Sequence, residues 1–176
     1  MSLGRFEIAL EQNDLTAAEK ELDTASTLLL ASAASMELAG SFTRREYEEE
    51  VRPSMSPPNV SIDNFSGLMS WDHSTLIAIW RRLQPKFQNI PEKLRKSHEA
   101  FSEAYGRLAS SHREVCKRFG GDEGGSIRHN SEIAVDVLDR FEKSRRNLVC
   151  PHARGGCPFP GESSSQPTKN TNEDEP

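Results

Sequence analysis

Apolar residues recur at helical spacing along most of this chain. Between Asp14 and Gly40, the positions Leu15, Ala18, Leu22, Leu29, Ala33 and Met36 follow a 3.6-residue period, while Glu19, Lys20, Glu21 and Asp23 make an early polar face. The pattern predicts a helix over 14–40, with Asp14 or Thr16 as cap and Gly40 as its stop. Thr43-Arg44-Arg45-Glu46 has the form of a capping box and opens a short helix to Val51, which Pro53 should end. Residues 52 to 70 hold Pro53, Pro57, Pro58 and Gly67 among Ser and Asn, and read as a long loop. Asp72 should cap the next helix, with Leu76, Ile79, Trp80 and Leu83 as its stripe and Pro85 as its close. From Pro91, Leu94, Phe101, Leu108 and Val115 repeat every seven residues beside a second row of His98, Tyr105, His112 and Phe119, up to Gly120-Gly121. Ile127, Ala134, Val137, Leu138, Phe141 and Leu148 mark a last helix over 126–149, ended by Cys150-Pro151. The predicted fold class is all-α, a helical bundle. Residues 1–13 read as an N-terminal arm, 14–150 as the helical domain, and 151–176 as a loop and disordered acidic tail.

Composition adds one constraint. The 176 residues are 35% hydrophobic and 28% charged, against roughly 45–50% and ~25% in ordinary domains. So thin an apolar share fits a disordered stretch, or a domain whose core needs a ligand or partner. A net charge of −5 gives no basic face for nucleic acid. The longest apolar run, near Leu28–Ala34, is far short of the ~18 residues of a membrane span. No basic-then-apolar leader opens the chain. Three cysteines, with Cys150 and Cys157 close and Cys116 alone, fit a reducing cytoplasmic compartment better than a disulfide framework.

Several side chains have chemistry to offer, and each has an ordinary reading beside it. His98 and His112 are 14 residues apart on one helix, roughly 21 Å, too far to share a metal; both read first as boundary-face histidines. His73, in the first turn of a helix, sits where the dipole lowers an imidazole pKa. It is either a solvent-facing residue or a neutral group for a substrate. Cys150, His152 and Cys157 offer three zinc ligands where a structural site wants four. A lone histidine after a long helix suits a single axial bond to haem better. Arg140, Lys143, Arg145 and Arg146 form a basic patch balanced by Asp136, Asp139 and Glu142. It is either a solvated face or a site for carboxylates, such as haem propionates or an amino-acid substrate. No nucleophile elbow, HExxH or EF-hand loop is present.

The most distinctive stretch runs from Met36 through Tyr47 to Arg52-Pro53-Ser-Met55, followed by Pro57-Pro58 and Phe65-Ser66-Gly67. Arg118-Phe119-Gly120-Gly121 and the run from Leu138 to Pro151-His152 come next. In this order the motifs resemble the monodechloroaminopyrrolnitrin synthase family, haem-containing relatives of the indoleamine and tryptophan dioxygenases. The resemblance spans about residues 25 to 155. It implies haem b, with His152 as axial ligand to the iron, and Arg52, Ser66 and Gly67 lining the pocket. It also implies dioxygen and an indole amino acid such as tryptophan as substrates, with ring rearrangement or ring opening as the outcome, in secondary metabolism. The family's proteins are longer, so this chain reads as a C-terminal portion. The competing expectation is a non-catalytic interaction module or truncated remnant without haem, as a homo-oligomer or with a partner polypeptide.

Overall fold

The structure is a computed structural model and describes residues 2–55, 57–61, 70–123 and 132–151. Among these, every regular element is helical. Helix α1 spans Ser2–Glu11, α2 Leu15–Ala39 and α3 Arg44–Glu46. A π-helical turn, Tyr47–Val51, runs into α4, Arg52–Ser54. Helix α5 spans Trp71–Gln88; a 3-10 turn, Glu92–Leu94, leads into α6, Arg95–Arg118; and α7 spans Ala134–Val149. The all-α expectation holds.

The local start and stop signals act largely as read. Asp14 Oδ1 accepts from the Ala17 amide at 2.9 Å, and the Gly40 amide closes α2 onto Met36 and Leu38. The capping box is complete: Thr43 N–H donates to Glu46 Oε2 at 2.7 Å, and Glu46 N–H to Thr43 Oγ1 at 3.2 Å. Gly120, at φ +83°, and Gly121 end α6 with amides donating to Lys117 and Cys116, a Schellman closure that a side-chain-bearing residue would strain.

Four expectations change. Residues 1–13 are not an arm: α1 buries Leu3, Phe6 and Ala9, and Phe6 stacks on Phe87 of α5 at 5.9 Å. Pro53 does not stop its helix at Val51, since the turn continues as α4 to Ser54. Pro85 lies inside α5. Its missing N–H and ring fall on the exposed side of the helix, and two residues on Phe87 is fully buried. Burial of that ring outweighs the proline penalty. Ser70, not Asp72, caps α5, its Oγ accepting from the His73 amide at 3.1 Å. The last helix is regular from Ala134; residues 126–131 of the expected span, like the tail beyond Pro151, lie outside the described residues.

Helices α1, α2, α5, α6 and α7 share one core. Phe6, Leu22, Leu83, Phe87, Leu94, Phe101 and Val149 are fully buried in it, and Trp80 meets Phe101 and Tyr105 edge-on. Helix α2 lies along α6, and α7 packs on α5 and α6. Ion pairs fasten the rim: Arg5 to Glu21 at 2.7 Å, Arg82 to Glu7 at 2.8 Å and Lys86 to Glu11 at 2.7 Å. No described helix is long and apolar enough to cross a membrane.

Candidate functional site

The second row of α6 organises the chemistry. Tyr105, His112, Cys116 and Phe119 follow at seven-, four- and three-residue steps, which a helix places on one face. Helices α5 and α7 bring His73 and Arg145 over its first part, and the π-helical turn brings Tyr47 over its end.

At the first part, Arg145 Nη2 donates to His73 Nε2 at 3.0 Å. The accepting nitrogen carries no proton in this bond, so His73 is the Nδ1–H tautomer. The Tyr105 hydroxyl also faces the Arg145 guanidinium, whose carbon lies 4.9 Å from the centre of the Phe141 ring. Burial, aided by the nearby Arg145 charge, holds both His73 and His112 below the usual imidazole range. Burial pushes the Tyr105 hydroxyl up to about 12. It also lowers the Arg145 pKa, because the low-dielectric surroundings disfavour the charged form. The site thus holds two imidazoles kept neutral, a protonated phenol and one guanidinium.

The basic patch of α7 divides in three dimensions. Arg140 pairs with Glu132, and Arg146 with Glu142. Neighbouring Asp139 is engaged by Arg113 of α6 at 2.8 Å. Arg145 makes none of the ion pairs found among the described residues.

At the other end, Tyr47 stacks on Phe119 with centroids 4.1 Å apart and planes 9° from parallel. Two of the sequence motifs, Tyr…Arg-Pro and Arg-Phe-Gly-Gly, therefore meet in space. Arg44 bonds Glu48 and Glu123, each at 3.1 Å, and pins this corner to the turn after α6. Arg52 is exposed and close enough to Tyr47 to affect it electrostatically. Ser66, Gly67, His152 and Cys157 lie outside the described residues.

His98 departs from its boundary-face reading. It is 5% exposed, stacks on Phe87 at 4.6 Å, and its Nε2–H donates to the Val149 carbonyl at 2.6 Å. Ser102 Oγ adds a longer bond, 3.4 Å, to the same oxygen. Together they fix the end of α7, and with it Pro151, the residue before His152. Cys150 is in a disulfide and Cys116 is free. That departs from the expectation of unpaired cysteines, and a disulfide sulfur is no thiolate for zinc. Among the described residues no group of His, Cys, Asp and Glu is placed to hold a metal.

Comparison with known proteins bears on the oxygenase reading. Residues 1–97 match the family model of the SfmD 3-methyl-L-tyrosine peroxygenase. The chain is 28% identical over 141 residues to a 3-methyl-L-tyrosine peroxygenase of Streptomyces lavendulae, an alignment covering 78% of this chain and 38% of that protein. No solved structure matches. The matched family is not the monodechloroaminopyrrolnitrin synthase family that the motifs resembled. The matched family is instead one named for a peroxygenase of a tyrosine-type amino acid.

Proposed function

Because the chain belongs to the SfmD 3-methyl-L-tyrosine peroxygenase family, we propose that it forms part of a haem-dependent oxygenase acting on an aromatic amino acid. The match over residues 1–97 carries this reading. The substrate is of tyrosine type, following the name of the relative, rather than the indole expected from the sequence motifs. The chain spans less than half the length of that relative, so the complete activity draws on further polypeptide.

In this proposal His152 would hold the iron of haem b, and Arg52, Ser66 and Gly67 would line its pocket. Two observations fit such a group. The end of α7 is fixed by His98 and Ser102, so the chain leaves Pro151 from a rigid point. The face made by Tyr105, His73 and Arg145 carries a cation with no carboxylate paired to it, which suits a group bearing propionates. When bound, haem supplies the iron that carries oxygen to the substrate. The chain's own work is to bind, orient and manage protons. Neutral His112 can accept a proton that a charged imidazole could not. Tyr105 keeps its proton near neutrality and serves as a donor. Trp80 and Phe101, behind Tyr105, close that side to water.

The test is a titration of the full chain with hemin. A Soret band that His152→Ala abolishes is the expected result; no band with wild-type protein removes the haem reading. A second reading is a part-protein that pairs with another polypeptide. The exposed Leu38, at 73%, with Leu28 and Leu30 earlier on α2 and Phe42 just beyond it, favours it. Light scattering after size exclusion separates the two, because a haem-loaded monomer counts against a pairing module.

A further inference from the structure

We infer that Arg145 is the anchor of a carboxylate-binding site, formed with Tyr105 and the first turn of α5, that takes either the α-carboxylate of an aromatic amino acid or a porphyrin propionate. The choice between these two ligands rests on the function proposed above; the site itself rests on the arrangement of charges.

Ion pairs are plentiful in this fold, and most arginines on the described surface have one. Arg145 is the informative exception. It is half-buried between α5, α6 and α7, and its partners are a neutral imidazole, a phenol hydroxyl and a phenylalanine face. None of these neutralises it. The nearest carboxylates on its own helix are committed elsewhere, Glu142 to Arg146 and Asp139 to Arg113. A guanidinium offers five N–H donors in a planar fork, and the contacts with His73 and the Tyr105 hydroxyl engage only some of them. The remaining edge suits the two oxygens of a carboxylate.

The surroundings add to the positive potential. His73 lies in the first turn of α5, an 18-residue helix whose amino end carries the positive pole of its dipole. The Tyr105 hydroxyl supplies a further donor. Removing a charge from water without a counter-ion costs stability, and an apolar or amide side chain in the same place would not incur that cost. The cation is explained once an anion completes it.

The experiment uses the full chain and two matched pairs of probes. L-tyrosine is compared with tyramine, which lacks the carboxylate, by following the side-chain NMR signals of His73 and Arg145. Hemin is compared with hemin dimethyl ester by absorption. In wild-type protein the carboxylate-bearing member of at least one pair should bind about ten- to a hundredfold more tightly, the range of a charge-assisted hydrogen bond to a carboxylate. Arg145→Gln should abolish that preference, Arg145→Lys should keep part of it, and Lys143→Gln, an exposed cation two residues away, should leave it intact. A preference in the tyrosine pair assigns the site to substrate, and one in the hemin pair assigns it to propionate. The inference is overturned if wild-type protein discriminates neither pair or if the preference survives Arg145→Gln. It is also overturned if Arg145→Gln fails to fold while Arg145→Lys folds, since the positive charge would then be structural. Hemin binding that ignores Arg145, with no Arg145-dependent preference for tyrosine over tyramine, would sink this site and leave the proposed function standing. Arg145-dependent tyrosine binding with no hemin spectrum would do the reverse.

Discussion

Removing the imidazole of His98 tests whether the end of α7 is held as the structure shows. His98→Ala deletes a buried bond of 2.6 Å to the Val149 carbonyl and a stacked contact of 4.6 Å with Phe87. A buried acceptor that loses its main donor costs about 1–3 kcal/mol. The Ser102 hydroxyl, at 3.4 Å, recovers only a fraction of that. Loss of the ring contact adds about 0.5–1.5 kcal/mol. The sum, roughly 2–4 kcal/mol, should lower Tm by about 5–15 °C at the ~2–4 °C per kcal/mol of a chain this size. Thermal unfolding followed by circular dichroism measures it. Two further variants divide the effect. His98→Phe keeps a stacking ring without a donor, so it should recover the smaller part. His98→Gln keeps a donor without the ring, so it should recover the larger. The hydrogen exchange of the Cys150 amide, bonded to Arg146 at 2.8 Å, should speed up in His98→Ala before the rest of the core is affected. A His98→Ala protein within about 0.5 kcal/mol of wild type (about a quarter of the smallest loss expected for the stacking contact and the bond together) would refute the reasoning, and a His98→Phe protein as stable as wild type would refute the hydrogen-bonded half of it.

Two other outcomes follow from the same packing and charge. Phe6→Ala should cost about 3–5 kcal/mol, because the ring is fully buried against Phe87; denaturant unfolding that leaves the variant unchanged would return α1 to the status of an arm. Burial holds His73 and His112 below their unfolded value of about 6.5, with Arg145 of α7 the charged group facing both and His73 the titratable group facing His112. The unfolded chain therefore binds protons that the folded chain refuses, so stability is present above about pH 6.5 and falls as pH drops below it. Denaturation midpoints across that window should lose this part of the slope in a His73→Gln, His112→Gln protein, and a carboxylate ligand on Arg145 should weaken it by offsetting the cation.

The legible parts of the fold are those set by neighbours in sequence. Asp14 and the Thr43–Glu46 box needed only the next three residues to work, and both cap as read. The seven-residue row from Leu94 to Val115 fixed α6 in the same way. Signals failed where a distant group outbid a local one. Pro85 should end α5, but Phe87 beyond it has Phe6, Phe101 and His98 to meet, and those come from α1 and α6. Helix α1 was missed although Leu3, Phe6 and Ala9 recur at three-residue steps, because ten residues give too short a period to outweigh an expectation of a loose terminus. Ser70 was passed over for Asp72, two residues on, since either type can cap and only the chain's entry angle decides.

The candidate site shows the same boundary between local and distant information. The sequence could count four cations on α7 and three acids near them, and on that count the patch was balanced. Which acid meets which base depends on how α5, α6 and α7 assemble. Arg113 comes in from α6 to take Asp139, Arg146 takes Glu142, and the balance is settled without Arg145. His73, 72 residues away, then becomes its partner as a neutral acceptor. A histidine and an arginine adjacent in a fold ordinarily repel when both are charged, and the pair is stable here because burial keeps the imidazole uncharged. That arrangement leaves the positive charge whole, which is of use only to something negative. Under the proposed function two partners would answer it, the carboxylate of an aromatic amino acid and a haem propionate, and the Arg145 guanidinium against the α6 face is placed to meet one of them.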